Sequence, residues 1–245
     1  MLKIYFASDF HLGYPDFHRS LSREKKIIRW LDEIKKDAEE IYLLGDIFDF
    51  WYEYKKVVPR GFTRFLGKIA EITDSGIKVH FFTGNHDIWI YDYLPQEIGI
   101  ILHRKAKTMI IGNKKFYIAH GDGLGGFDWK YNILKRIFTN KILQFLFSRL
   151  HPNFALFLGQ KWSLSRDTKI VKKDGYLGDD KEFLVLHSKE IQKKEEHNFF
   201  IYGHRHFPKK IKISKNSEYF NTGDWISHFS YCVFDGEKMK IKNFE

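Results

Sequence analysis

Five short apolar runs, rich in β-branched and aromatic residues, recur along the chain at Lys3–Ala7, Ile41–Leu44, Lys78–Thr83, Lys115–Ala119 and Phe199–Tyr202. Runs of this length and composition predict strands. Between the first three lie two stretches with helical spacing. Ser22 to Glu40 puts Ile27, Leu31 and Ile34 on one face with lysines opposite, and Gly61 to Asp74 turns Phe62, Phe65, Leu66, Ile69 and Ile72 inward. Alternation of this kind predicts β-α-β connections, with the helical stripes as core faces. The tail from Glu218 to Phe244 reads as short strands with a turn at Asp235-Gly236.

The pattern changes between residues 125 and 175. From Trp129 through Arg166 there is no Asp or Glu, while Lys130, Lys135, Arg136, Lys141, Arg149, Lys161 and Arg166 are interleaved with Leu, Ile, Phe and Trp. The spacings predict two or three short helices with a break at His151-Pro152. Such a segment is too apolar for a solvated excursion and too basic for pure core. It is expected to pack partly on the sheets and to cap the functional site with an apolar chamber and a cationic rim. That composition suits a substrate with acyl chains and phosphates, or a membrane surface; a basic helix also binds nucleic acid. At its start, Gly121 to Gly126 matches G-x-G-x-x-G, but the acid expected about 20 residues on is missing, so no dinucleotide site is predicted.

Polar residues follow each predicted strand: Asp9-Phe10-His11, Gly45-Asp46-Ile47-Phe48-Asp49, Gly84-Asn85-His86-Asp87, Ala119-His120-Gly121-Asp122 and Gly203-His204-Arg205-His206. Loops at the carboxyl ends of strands are where α/β proteins place their chemistry. Carboxylates, imidazoles and one amide are oxygen and nitrogen ligands suited to Mn, Fe, Co or Zn. A thiolate site is excluded, because Cys232 is the single cysteine.

Composition narrows the picture less. A chain of 245 residues predicts one domain with a sizeable core. The formal charge of +10 attracts anions, whether nucleic acid, acidic lipid or a phosphorylated substrate. One cysteine fits a reducing compartment. The start, Met1 to Ala7, is too short for a signal sequence, and no stretch approaches the roughly 18 apolar residues of a spanning helix, so a cytoplasmic location is expected.

The ordered series Asp-x-His, Gly-Asp-x-x-Asp, Gly-Asn-His-Asp, His and Gly-His-x-His resembles the signature of the calcineurin-like metallophosphoesterases, from Asp9 to Trp225. The resemblance implies an α/β fold, a β-sandwich flanked by helices, forming a single domain over 1–245 with the cap inserted at 125–175. It implies one divalent ion on Asp9, His11 and His206, a second on Asn85, His120 and His204, and Asp46 as the bridge. Two adjacent ions lower the pKa of a shared water and neutralise phosphoryl charge. His86 would stabilise the transition state or protonate the leaving oxygen. Asp49 and Asp87 read as groups that orient histidines or loop amides by hydrogen bonding, or else as loop caps.

Within that superfamily the chain is most similar to the UDP-2,3-diacylglucosamine diphosphatases, which are peripheral inner-membrane, manganese-dependent enzymes of lipid A synthesis. The likeness rests on size, the short first loop, the basic apolar insertion, Pro208 and Gly223-Asp224-Trp225. It implies cleavage of a nucleotide-linked lipid at its α-phosphorus, releasing UMP and the acylated glucosamine 1-phosphate. Implied substrate contacts are Asn85, His86, Asp128, Ser165, Lys169, Lys172 and His204. The chain departs from that pattern with His86 in place of Arg and Arg205 in place of Thr, and Arg205 would then compensate phosphate charge. Two other readings are a generic phosphodiesterase or nuclease of the same superfamily, and a scaffold that has lost catalysis. The apolar cap counts against nucleic acid, whose groove needs cationic and stacking residues. The complete ligand set counts against a scaffold.

Overall fold

The structure, a computed structural model, describes residues 2–125, 129–170, 176 and 178–245, with the backbone alone at 129, 130, 132 and 164–170. Two mixed sheets pack face to face. In the first, strands run in the order β11(Met239–Asn243), β10(Ser230–Phe234), β1(Lys3–Ala7), β2(Ala38–Leu43), β3(Lys78–Phe82), β4(Ile101–His103). In the second the order is β5(Lys107–Ile111), β6(Lys114–Ile118), β7(Phe199–Tyr202), β9(Ser217–Asn221), β8(Lys209–Ser214). The β1–β4 run is parallel, as are β6, β7 and β9, and the remaining pairs are antiparallel.

The two-residue period of a strand sorts each run onto two faces. Ile4, Phe6, Tyr42 and Phe82 meet Phe116, Ile118, Phe199 and Ile201 between the sheets. The alternate residues Tyr5, Ala7, Ile41, Leu43, Val79 and Phe81 face outward, where α1(Phe17–Ile34) and α2(Thr63–Asp74) cover them with Ile27, Trp30, Leu31, Phe65 and Ile69. On the far side α6(Phe183–Lys194) covers the second sheet with Leu184 and Val185. Each fully buried large side chain of this kind contributes roughly 1.5–3 kcal/mol.

Three helix boundaries differ from the sequence reading. The first helix starts earlier, at Phe17, because the Asp16 side chain accepts the Arg19 N–H at 2.9 Å. It ends at Ile34 rather than running to Glu40, because Ala38 to Leu43 pairs in parallel with β1 and ladder pairing overrides local helix propensity. The second helix begins at Thr63, since Phe62 has φ 55° and cannot continue a right-handed helix.

The basic apolar segment forms three helices, α3(Trp129–Thr139), α4(Lys141–Phe147) and α5(Pro152–Ile170), with α5 starting at the expected break. Its burial is unlike the rest of the molecule. Of seventeen exposed large apolar side chains among the described residues, ten lie between Ile133 and Leu158. Among the described residues no helix is long and apolar enough to cross a membrane.

Candidate metal centre

Because β1, β2 and β3 are parallel in one sheet and β6 and β7 in the other, their carboxyl ends open side by side. The loops there are knitted together by backbone hydrogen bonds. Asp9 N–H donates to Gly45 O (3.0 Å), His11 N–H to Asp46 O (2.9 Å), Gly203 N–H to His120 O (2.9 Å) and Trp225 N–H to Asp9 O (3.1 Å). Gly84 permits the closest approach, since a Cβ there would run into the Asp46 carboxylate.

These loops are strained. Asp9, His11, Asp46, His204 and His206 have φ of 55°, 42°, 51°, 66° and 52°, the left-handed region. An L-residue there costs about 1–2 kcal/mol. Five together approach the whole net stability of a domain, about 5–15 kcal/mol. Strain of that size persists where surrounding structure over-determines it, and it clusters at functional sites. Its consequence here is that these five side chains converge with that of His120.

They converge in two trios. His206 Nε2 lies 3.1 Å from Asp9 Oδ1, and His11 Nε2 lies 3.3 Å from His206 Nε2. His120 Nε2 lies 3.2 Å from Asp46 Oδ2, with the His204 ring beside it at a centroid distance of 5.0 Å. Asp46 Oδ2 is also 4.0 Å from His11 Nε2, so one carboxylate oxygen faces both trios. Within each trio, Asp9/His11/His206 and Asp46/His120/His204, the ligand atoms lie within 4.8 Å of one another.

The residues fit divalent cations. Asp9 Oδ1, Asn85 Oδ1 and His120 Nε2 are buried with no hydrogen-bond partner among the described residues. An orphaned buried polar atom is costly, and a carboxylate oxygen especially so. Shared cations would supply the missing partners to all three, and the donor set is of the right hardness.

Groups behind these candidate ligands fix their orientation. His120 Nδ1 donates to Leu44 O at 2.6 Å, which leaves its Nε2 lone pair toward the centre. Asp49 Oδ1 is 3.3 Å from His11 Nδ1 and does the same for that ring. Asp87 accepts from Gly84 N–H (2.7 Å) and Ile47 N–H (2.9 Å), so it holds loop amides rather than a histidine. Asp49 and His86 also form a further group with His11, with their ligand atoms within 4.8 Å of one another.

Charge follows the same geometry. Burial opposes protonation of His11, but the Asp49 hydrogen bond and the nearby Asp46 and Asp9 charges win, raising its pKa to about 9. Burial likewise opposes His120, and Asp46 lifts it to about 10. His204 is pushed down to about 3 by burial and by His120. Against the same desolvation, Asp46 is held well below the usual carboxylate range by His120, His86 and His11. Asp87 is pushed up to about 7 by burial and by Asp46.

Other expected site residues are placed differently. Arg205 is engaged by buried Glu182, with Nε 2.6 Å from Oε1 and Nη2 3.2 Å from Oε2, so its charge is directed to the residue that caps α6 rather than to the site. Ser165 and Lys169 fall on α5 with side chains outside the described set, and Asp128 and Lys172 lie outside the described residues. Three residues carry interactions the sequence reading did not single out. Asp122 pairs with Lys135 Nζ at 2.6 Å and ties α3 beside His120. Asp224 accepts three backbone N–H groups of 226–228 at 2.7–3.0 Å and lies 3.9 Å from His206 Nδ1. Ser163, on α5, contacts His86. Asp122 and Asp224 both belong to quoted motifs, whereas the contact of Ser163 depends on how α5 sits on the core.

A cavity of about 230 Å³ opens beside Asn85 and His86, walled by Phe50 and Trp89 from the core loops and by Leu134, Phe138, Leu158 and Trp162 from α3 and α5.

The model of the calcineurin-like phosphoesterase family matches residues 2–208, and the chain belongs to that family, whose members are metal-dependent phosphoesterases. Among named relatives, a UDP-2,3-diacylglucosamine hydrolase of Porphyromonas gingivalis is 37% identical over 256 residues, covering 99% of this chain and 98% of the relative. One of the same name from Vibrio parahaemolyticus is 27% identical, covering 97% and 96%. Among solved structures, Vps29 of Chaetomium thermophilum is similar over 98% of this chain and 87% of its own, with a TM-score of 0.47 and 10% identity.

Proposed function

We propose that this chain hydrolyses the pyrophosphate of UDP-2,3-diacylglucosamine to UMP and 2,3-diacylglucosamine 1-phosphate, a step of lipid A biosynthesis, and that it uses two manganese ions. The observation that carries the reading is Asp46 Oδ2, which faces His120 at 3.2 Å and His11 at 4.0 Å from the two trios. Asp9, His11 and His206 would hold one ion and Asn85, His120 and His204 the other, with the Asp46 carboxylate shared between them. Bound there, the ions supply water activation and charge neutralisation at the phosphoryl group.

The chain's own residues position and balance the rest. Asn85 contributes a neutral amide, which coordinates without cancelling Lewis acidity. His86, with Nδ1 bonded to Asp49 O at 2.8 Å, presents Nε2 to the phosphoryl group; burial holds its pKa below the ordinary histidine value, so the ring would stabilise oxygen charge or protonate the leaving UMP only once the anionic substrate draws a proton onto it. With His204, these two also contact the substrate. Asp128, Ser165, Lys169 and Lys172 complete the substrate contacts from the cap insertion, residues 125–175.

The apolar cavity supports acyl binding next to the reacting centre, which holds the phosphorus in line. Exposed Ile142, Phe145, Leu146, Phe154 and Phe157 beside Lys141, Arg149 and Lys161 support peripheral attachment to the cytoplasmic face of the inner membrane. The test is a comparison of specificity constants on manganese-loaded protein for UDP-2,3-diacylglucosamine, bis-p-nitrophenyl phosphate and single-stranded DNA. A large preference for the lipid is expected, and preference for DNA overturns the reading.

A further inference from the structure

Ser163 is fully buried on α5, and its Oγ lies 3.0 Å from His86 Nδ1. The same nitrogen lies 2.8 Å from Asp49 O. One imidazole is thus gripped from two directions, by a core loop and by a cap helix. The ring also stands edge-on to His11, with centroids 4.8 Å apart at 82°. Nε2 of His86 has no protein hydrogen-bond partner among the described residues and is left for substrate.

A glycine allows this approach. Gly159 is one turn before Ser163 and on the same helix face. A Cβ at Gly159 would run into the Phe50 ring, so its absence lets the α5 backbone rest on that ring. Four residues later the Ser163 hydroxyl is at His86. Leu158 and Trp162 of the same helix wall the apolar cavity that reaches Asn85 and His86. Cavity wall and imidazole contact therefore move together on one rigid element.

We propose that Ser163 is a positioning residue through which the seating of α5 sets the orientation of the His86 ring toward the phosphoryl group. The proposal rests on the reading of His86 as a group that faces substrate. Nδ1 carries one proton, which it donates to Asp49 O. The Ser163 hydroxyl is the second contact on that nitrogen and opposes rotation of the ring about its bond to Cβ. Without it, the Asp49 carbonyl is the remaining restraint on that side.

The experiment uses the full manganese-loaded chain and bis-p-nitrophenyl phosphate, so that its outcome does not depend on the identity of the natural substrate. Ser163→Ala should lower kcat by about tenfold, the size of one hydrogen bond, with KM changed by less than about twofold. Ser163→Thr, which keeps the hydroxyl, should restore most of the loss. In a His86→Ala background Ser163→Ala should have no further effect, because a residue acting through another is non-additive with it. Unchanged kcat in Ser163→Ala, or additive losses, overturns the proposal. Should His86→Ala itself match the wild type, the catalytic reading of His86 falls, and the positioning claim is decided by NMR of isotope-labelled histidine in zinc-loaded protein. Ser163→Ala must then shift the His86 ring resonances and speed exchange of the Nδ1 proton, and unchanged resonances sink it.

Discussion

The strand-end loops and the helices α3–α5 break opposite rules of folding. In the loops, polar groups are buried, with Asp9, Asp46 and His120 only 0%, 2% and 3% exposed and some of their atoms lacking partners. In the helices, hydrocarbon is left outside, with Ile142 70% and Phe157 55% exposed and no residue of α4 buried. The first arrangement forgoes hydrogen bonds and adopts strained backbone. The second forgoes roughly 1.5–3 kcal/mol per large side chain that burial would have supplied. Neither is explained by stability. Both make sense if the chain is completed from outside, by cations at the loops and by acyl chains or lipid at the helices.

Breaking the loop side should have the largest effect. Asp46→Asn or His120→Ala should cost about a thousandfold or more in kcat, since each removes a ligand to catalytic ions, while circular dichroism stays native. Chelation should do the same reversibly, with manganese restoring activity. Asp49→Asn, which loosens His11 without removing a ligand, should cost about 10–100-fold in metal affinity or activity, read by metal titration.

Proton competition sharpens the loop side further. With pKa values of about 9 and 10, His11 and His120 are protonated at neutral pH before cations bind. Metal binding must displace those protons, so affinity should strengthen by up to about tenfold per pH unit per proton as pH rises from 7 toward 9. The linked stability has a definite sign. Both folded pKa values lie above the ordinary 6.5, so the contribution is fully present below pH 6.5 and is lost as pH rises through about 9 to 10. Metal-free protein should lose Tm across that window and manganese-loaded protein should not. A flat metal-free Tm would contradict the assignment.

On the helix side the effects should be smaller and selective. Phe138→Ala should raise KM for the diacylated substrate by about tenfold, the worth of a few buried methylenes, and leave bis-p-nitrophenyl phosphate turnover alone. Equal effects on both substrates would place Phe138 in the catalytic machinery instead. Phe154→Ser with Phe157→Ser should weaken sedimentation with anionic lipid vesicles by several-fold, about the value of two interfacial aromatic rings, with kcat on the soluble substrate unchanged.

The same contrast explains what could be read from the chain. All seven candidate ligands were legible because each follows a strand-like run, and parallel strands bring their carboxyl ends together whatever their exact register. Helix ends were less legible. Lys35 to Glu40 has good helix formers, and only pairing of Ala38–Leu43 with β1 turns its second half into strand. Asp49 and Asp87 were recognisable as hydrogen-bonding groups, but which partner each takes depends on loops that are distant in sequence. The basic apolar segment was legible as two or three helices with cations, and it forms three. Ser163 was not, because its role depends on the rotation of α5 against Phe50 and His86, and local periodicity carries no information about that phase. Arg205 shows the converse: a cation between two candidate ligands invites a phosphate role, and buried Glu182 takes it first.

The central claim is a pair of cations shared by one carboxylate. Anomalous diffraction at the manganese edge, from crystals grown with manganese, tests it most directly. Two peaks about 3.5–4 Å apart with Asp46 between them are predicted, one against Asp9, His11 and His206 and one against Asn85, His120 and His204. A single peak under saturating metal, or peaks held by other residues, would contradict it.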